Sequence, residues 1–245
     1  VNAVQVHTKG VRDGMLLEML HEGTDNPVTP DQRLAALEAF ADRCGSDLVH
    51  ARQVARIAAR LFDQLAEPLG LEPKHRELLT AAALLANVGY LINYDDHHKH
   101  SYQLILHSEL PGFERHQLHL VACIARYHRG AGPKKKHVGF GELTARDQQC
   151  VAQLASLLRL ALGLDRTHQQ QVENLRCAAF GDRVVIQVAA KEDAETDIWA
   201  ARRKVTLFEK TFDREVSIVA TGDQQLLLEF SPFTTPLPLE QESLP

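Results

Sequence analysis

Helical periodicity dominates the chain up to about residue 172, after which the spacing of apolar positions shortens to two. Residues 31–43 follow Thr29-Pro30 and carry Leu34, Leu37 and Phe40 on one side, which predicts an amphipathic helix. From a cap at Ser46 or Asp47, the residues Val54, Ile57, Ala58, Leu61, Phe62 and Leu65 form one apolar stripe. His50, one turn before Val54, is expected to face the same interior. A third helix is expected to start at Pro73 and to run through Leu78, Leu79, Ala82, Ala83 and Leu85. Pro111-Gly112-Phe113 reads as a turn, and residues 114–129 and 144–163 as two further striped helices. Beyond residue 174, the groups Val184/Ile186/Val188, Val216/Ile218 and Leu226/Leu228/Phe230 read as strands. Between the first two lies an amphipathic helix of roughly 194–211, with Ile198, Trp199, Val205, Leu207 and Phe208. The expected fold is mainly α: a helical bundle, then a small α+β subdomain over 174–230 and a Pro-rich, extended or disordered tail over 231–245.

Composition fits one large core, with or without a satellite: 245 residues, of which 44% are hydrophobic. Apolar runs such as Ala81–Ala86 fall far short of the roughly 20 residues that cross a bilayer. No membrane segment is expected, and Val1-Asn2-Ala3-Val4 does not begin a secretory signal. Starting with valine, the chain reads as a possible fragment of something longer. Cys44, Cys123, Cys150 and Cys177 are dispersed and form no CxxC pair. Reduced, packed thiols and a cytoplasmic location are the expectation.

The net charge of −5 hides an uneven distribution. Between His97 and His137 lie seven Lys/Arg (Lys99, Arg115, Arg126, Arg129, Lys134, Lys135, Lys136) and two acids (Glu109, Glu114), a local +5. The same window holds eight of the thirteen histidines. A basic, histidine-rich segment in an acidic chain points to an anion site, with phosphate as the expected ligand. Lys134-Lys135-Lys136 beside Gly132-Pro133 reads equally well as a solvated loop.

The densest candidate chemistry is Leu84-Leu85-Ala86-Asn87-Val88-Gly89-Tyr90, followed by His97-His98-Lys99-His100-Ser101. Together with His50-Ala51-Arg52-Gln53-Val54-Ala55, Leu110-Pro111-Gly112-Phe113, Arg126-Tyr127-His128-Arg129 and Leu164-Asp165-Arg166, these stretches resemble the carboxy-terminal region of the exopolyphosphatase/guanosine pentaphosphate phosphatase (Ppx/GppA) family. Gly10-Val11-Arg12-Asp13-Gly14 is similar to the G-x-R-x-G that closes an actin-like domain there. The resemblance implies an HD-type helical bundle over 15–173, with residues 1–14 a remnant of the preceding actin-like domain or linker. It places phosphate hydrolysis, and any Mg, in domains upstream of this chain. It implies no cofactor here and no catalytic residue.

An HD-type metal site would use a helix histidine, an adjacent His-Asp pair and a distant aspartate. His50 and Asp165 match the outer members, but Ala86 and Asn87 occupy the pair. Alanine has no donor and asparagine only a neutral carbonyl oxygen, so the metal site is expected to be degenerate. Both outer residues have plainer readings, His50 as a hydrogen-bonded core residue and Asp165 as a helix cap. His97, His98, His100 and His128 could collect a metal, bind phosphate when protonated, or pack against Tyr102 and Tyr127. The leading expectation is a module that binds polyphosphate or a guanosine polyphosphate through Lys99, Arg126, Arg129, His98, His100 and His128 and that supports a homodimer. No membrane or nucleic-acid partner is expected. The alternatives are a metal-dependent phosphohydrolase built from Asn87, His98, His128 and Asp165, and a purely structural dimerisation domain.

Overall fold

The three longest helices begin at side chains that take up free backbone N–H groups. The structure, a computed structural model, describes residues 28–221. Thr29 Oγ1 accepts from the Gln32 N–H, and the Gln32 side chain accepts in return from the Thr29 N–H, opening α1 (Pro30–Arg43). Asp47 accepts from the His50 N–H at the start of α2 (Leu48–Leu69), and Thr144 from the Asp147 N–H at the start of α6 (Ala145–Gly163).

The stripe on α2 is buried as its spacing predicts, His50 included. It packs on α3 (His75–Leu85) and α6. Helix α3 is buried along almost its whole length, from Leu78 and Leu79 through Ala81–Leu85, and touches α1, α2, α5 (Arg115–Arg126) and α6. Fully burying leucines such as Leu79 and Leu85 stabilises the fold by roughly 1.5–3 kcal/mol each. Helix α3 starts two residues later than expected, because Glu72–Lys74 form a turn whose carbonyls accept from His75 and Arg76. A short 3-10 turn (Val88–Leu91) and α4 (His97–Leu106) follow it.

The sheet has the order β1-β2-β3, comprising β1 (Val172–Phe180), β2 (Arg183–Ala190) and β3 (Glu215–Ala220). β1 and β2 are antiparallel, whereas β2 and β3 are parallel and joined by α7 (Glu195–Arg202) and α8 (Thr206–Phe212). β2 is central and buried on both faces, with Val185, Gln187 and Ala189 as enclosed as Val184, Ile186 and Val188. Strand β1, which the apolar spacing did not reveal, is sheltered by α2. Gln53 Nε2 donates to the Val172 carbonyl (2.6 Å), Gln64 Nε2 donates to the Leu175 carbonyl (3.0 Å), and Gln64 Oε1 accepts from the Cys177 N–H (2.8 Å). Side-chain amides thus occupy backbone groups that an edge strand would leave open. Val172, Leu175, Val184, Ile186 and Ile218 belong to the same buried cluster as the helices, so bundle and sheet share one core.

The fold is mainly α with a small α+β unit. The helix expected over 194–211 is two helices, broken at Arg203–Val205, where the Arg203 and Lys204 N–H groups donate to Trp199 and Ala201. The strand expected at Leu226–Phe230, the remnant at 1–14 and the tail at 231–245 lie outside the described residues. Among the described residues no helix is long and apolar enough to cross a membrane. The four cysteines are free, and burial raises the Cys123 and Cys150 thiols to about 12, which keeps them protonated.

Candidate functional site

Two close contacts shape the site. Gly89 sits so tightly against α4 that a Cβ there would fall 2.0 Å from the His97 carbonyl oxygen. Its N–H donates to Ser101 Oγ (2.9 Å), and the Ser101 hydroxyl donates to the Ala86 carbonyl (2.7 Å). The end of α3 is thereby clamped to α4. Gly163, at the end of α6, plays the same part against α7, where a Cβ would meet Ala201 Cα at 2.5 Å. Between these contacts opens a cleft of about 280 Å³.

Histidines and tyrosines line one side of it. His50 and His168 rings stack with centroids 3.6 Å apart and planes within 4°. His50 Nδ1 meets Asp165 Oδ2 at 2.7 Å, and His168 Nδ1 meets Asp47 Oδ2 at 3.1 Å. Asp165 is wholly buried, and its second oxygen accepts from the Gln170 N–H (3.0 Å). It caps no helix. Farther along, His97 lies under Tyr90 with ring centroids 4.0 Å apart, and Tyr90 stacks on Tyr94 at 5.4 Å. Both tyrosines are exposed, at 41% and 67%. His97 Nε2 and His128 Nε2 are 3.2 Å apart.

The rest of the lining is cationic, and Arg129 stands directly beside His97, its Nη1 3.1 Å from His97 Nδ1. Arg129, Arg166 and Lys204 supply the charge, and none of the three has a carboxylate ion pair among the described residues. Other basic side chains are neutralised locally: Arg33 by Glu77, Arg52 by Glu38, Arg76 by Asp63 and Arg146 by Glu72, all within 2.8 Å. Burial, with Arg166, Arg159 and Arg129 nearby, lowers the Lys204 ammonium to about 8. The lysine is half-buried. The break between α7 and α8 is what brings it here.

Of the residues proposed from sequence as phosphate ligands, His128 and Arg129 line this cleft. The others do not. Lys99 pairs with Asp96 at 2.7 Å; Arg126 lies over the Tyr102 and Tyr127 rings and donates to the Val138 carbonyl; His98 and His100 are absent from the lining. Nor do the histidines supply the charge. Burial holds His128 well below the ordinary histidine value, lowers His98 to about 4 and lowers His97 too, so these rings are neutral at pH 7. Sequence reasoning missed Lys204, Tyr94 and His168. Arg166 follows Asp165 in the Leu164-Asp165-Arg166 motif, but nothing in the local pattern around Arg202-Arg203-Lys204 marks Lys204.

The donor set does not fit the metal of an HD-type site. His50 and Asn87 line the cleft and Asp165 lies against His50, but Ala86 is buried in the core and offers only its carbonyl, already bonded by Ser101. Both Asp165 oxygens are engaged by His50 and Gln170, and His98 does not line the cleft. Among the described residues no group of three or more His, Cys, Asp or Glu is placed to hold a metal ion. The arrangement can instead receive an anion: three basic side chains, the neutral His97 and His128 rings able to share hydrogen bonds, and an aromatic rim.

Comparison with known proteins identifies the family of the chain. The family profile described as Ppx/GppA phosphatase, domain III, matches residues 33–207. A guanosine-5'-triphosphate,3'-diphosphate pyrophosphatase of Vibrio campbellii is 28% identical over 193 residues, covering 78% of this chain and 37% of the relative. Proteins of the same name from Photobacterium profundum and Pseudoalteromonas translucida are 33% and 29% identical over 163 residues, covering 66% of this chain and 31% of each relative. The chain therefore spans about a third of the length of these relatives. On the profile match and these identities, the chain belongs to the Ppx/GppA phosphatase family and carries its domain III.

Proposed function

We propose that this chain is a phosphate-binding module of a guanosine polyphosphate phosphatase, with a degenerate HD-type site that holds anion in place of metal. The observation that carries it is the cationic wall of Arg129, Arg166 and Lys204, which no carboxylate of the described residues neutralises. Taking three like charges into a half-enclosed cleft is unfavourable without a counter-anion, and a chain of phosphates supplies one. Each arginine can donate two parallel hydrogen bonds to a phosphate. The exposed Tyr90/Tyr94 stack gives a purine somewhere to lie. Linear polyphosphate would use the cations but not the tyrosines. Catalysis is assigned to the part of the protein outside this chain.

The test is calorimetric titration of the 245-residue chain with guanosine tetraphosphate at low salt. Arg129→Ala and Arg166→Ala should each weaken binding about tenfold, the worth of a charged hydrogen bond of roughly 1.4 kcal/mol, while Lys99→Ala should change nothing. Equal loss in all three variants would mean diffuse surface attraction and would remove the assignment. Triphosphate without a base should bind more weakly, and equal affinity would favour polyphosphate.

A structural role in dimerisation is a second reading, favoured by Leu91 and Ile92, which are 57% and 54% exposed, and by the apolar groove Leu91 shares with Phe40 and Leu104. Light scattering of the wild type and of Leu91→Ser/Ile92→Ser would decide it. A concentration-dependent dimer lost in the variant supports the contact; a monomer at all concentrations removes it.

A further inference from the structure

Lys204 is the one primary amine on the wall of the cleft among the described residues. Its surroundings differ from those of the other lysines. Lys74 and Lys99 are exposed and pair with Glu72 at 3.0 Å and Asp96 at 2.7 Å, and Lys134, Lys135 and Lys136 are exposed on a loop. Lys204 is half-buried, with two arginines on the same wall and no carboxylate partner among the described residues. A nucleophile beside a phosphate-binding wall meets phosphorylated electrophiles at raised local concentration.

We propose that Lys204 is a modification site, acylated by small acyl phosphates that Arg129 and Arg166 hold by the phosphate, and that this modification lowers the anion affinity of the cleft. The proposal rests on the reading of the cleft as a phosphate site. The Nζ lone pair attacks the acyl carbon and forms the C–N bond. The bond from that carbon to the bridging phosphate oxygen breaks, inorganic phosphate leaves with the electron pair, and the proton lost from Nζ goes to it. No oxidant or further reactant is needed. The amine must be uncharged to attack, and burial among cations, which brings Lys204 to about 8, leaves a useful neutral fraction near neutral pH, unlike an ordinary exposed lysine near 10.4. The neutral product removes one of three positive charges from the wall.

The test is a time course of the 245-residue chain with acetyl phosphate at pH 8, with acetylation at each lysine measured by mass spectrometry. Lys204 should react at least several-fold faster than Lys99 and Lys134–Lys136. Inorganic pyrophosphate should protect Lys204 and leave the loop lysines unaffected. In Arg129→Ala/Arg166→Ala, checked for an unchanged melting temperature, the advantage should disappear, and with an uncharged succinimidyl ester it should shrink in the wild type. A Lys204 rate no greater than that of the loop lysines, or one indifferent to pyrophosphate, overturns the proposal; both are read on wild-type protein. If calorimetry still shows pyrophosphate binding in that case, the acylation is wrong and the anion site stands. If the wild type binds no pyrophosphate, the reading of the cleft fails with it. Lys204→Gln should bind pyrophosphate about tenfold more weakly, and unchanged affinity overturns the regulatory half.

Discussion

His97 Nε2 lies 3.2 Å from His128 Nε2, and on the far side of the same ring His97 Nδ1 lies 3.1 Å from Arg129 Nη1. His128 Nδ1 is 2.7 Å from the Ala125 carbonyl and must donate to it, which leaves His128 Nε2 as an acceptor. The tautomer that satisfies both neighbours puts the His97 proton on Nε2, so that it donates to His128 while Nδ1 accepts from Arg129. The Tyr94 carbonyl, 3.0 Å from the same Nδ1, competes for the opposite tautomer. A relay from the α5 backbone through two rings therefore aims the Arg129 guanidinium. His97→Phe should preserve ring packing yet release Arg129, and guanosine tetraphosphate affinity should fall roughly three- to tenfold by calorimetry.

Acid should destabilise the protein through its buried histidines. Burial depresses His98 and His128, so between pH 6.5 and about 4 the unfolded chain binds more protons than the folded one. Their contribution is full above pH 6.5 and is lost as pH falls toward 4. Urea unfolding should show lower stability at pH 5 than at pH 7, and His98→Asn should flatten the slope relative to wild type.

Ser101→Ala removes a hydroxyl that both accepts from Gly89 N–H and donates to Ala86 O. Two buried backbone groups lose their partner, at a cost of about 1–3 kcal/mol each. A melting-temperature drop of several degrees should accompany weaker ligand binding, because Tyr90 and Tyr94 hang on this segment. Unchanged stability would show that the clamp is not needed.

Asp165→Asn leaves one acceptor oxygen for two donors, His50 Nδ1–H and the Gln170 N–H. Chemical denaturation should show a loss of about 1–3 kcal/mol. Asp165→Ala should cost more, by the general behaviour of broken buried pairs.

Ala86→His with Asn87→Asp rebuilds the ligand pair of an HD-type site. Ala86 is fully buried in the core, so an imidazole there overpacks it at a cost of about 1–3 kcal/mol. The variant should melt lower and take up no Mn or Zn by metal analysis; stoichiometric uptake would show that the scaffold can still close around an ion.

The helices were legible because their information is local. Thr29, Asp47 and Thr144 announce three starts, and the α2 stripe from Val54 to Leu65 names its own buried face. The strand β1 was not, because its residues show no period-two burial and its outer edge is satisfied by Gln53 and Gln64, more than 100 residues away. For the same reason β2 misled: a central strand has no solvent face, so Val185 and Gln187 are buried along with the alternating set.

That Ala86-Asn87 cannot serve as a His-Asp ligand pair and that one chain segment is basic and histidine-rich follow from residue identity alone, as does the family resemblance. Which of those charges act together does not. The window from His97 to His137 winds around a helix, a turn and a second helix, so Lys99, Arg126 and Arg129 emerge on different surfaces. Only the folded chain sets Arg129 beside Arg166 and Lys204, and only burial decides that His97 and His128 carry no charge. Proximity across 75 residues and the cost of taking a proton into a dry core are both properties of packing, which residue order along the chain does not contain.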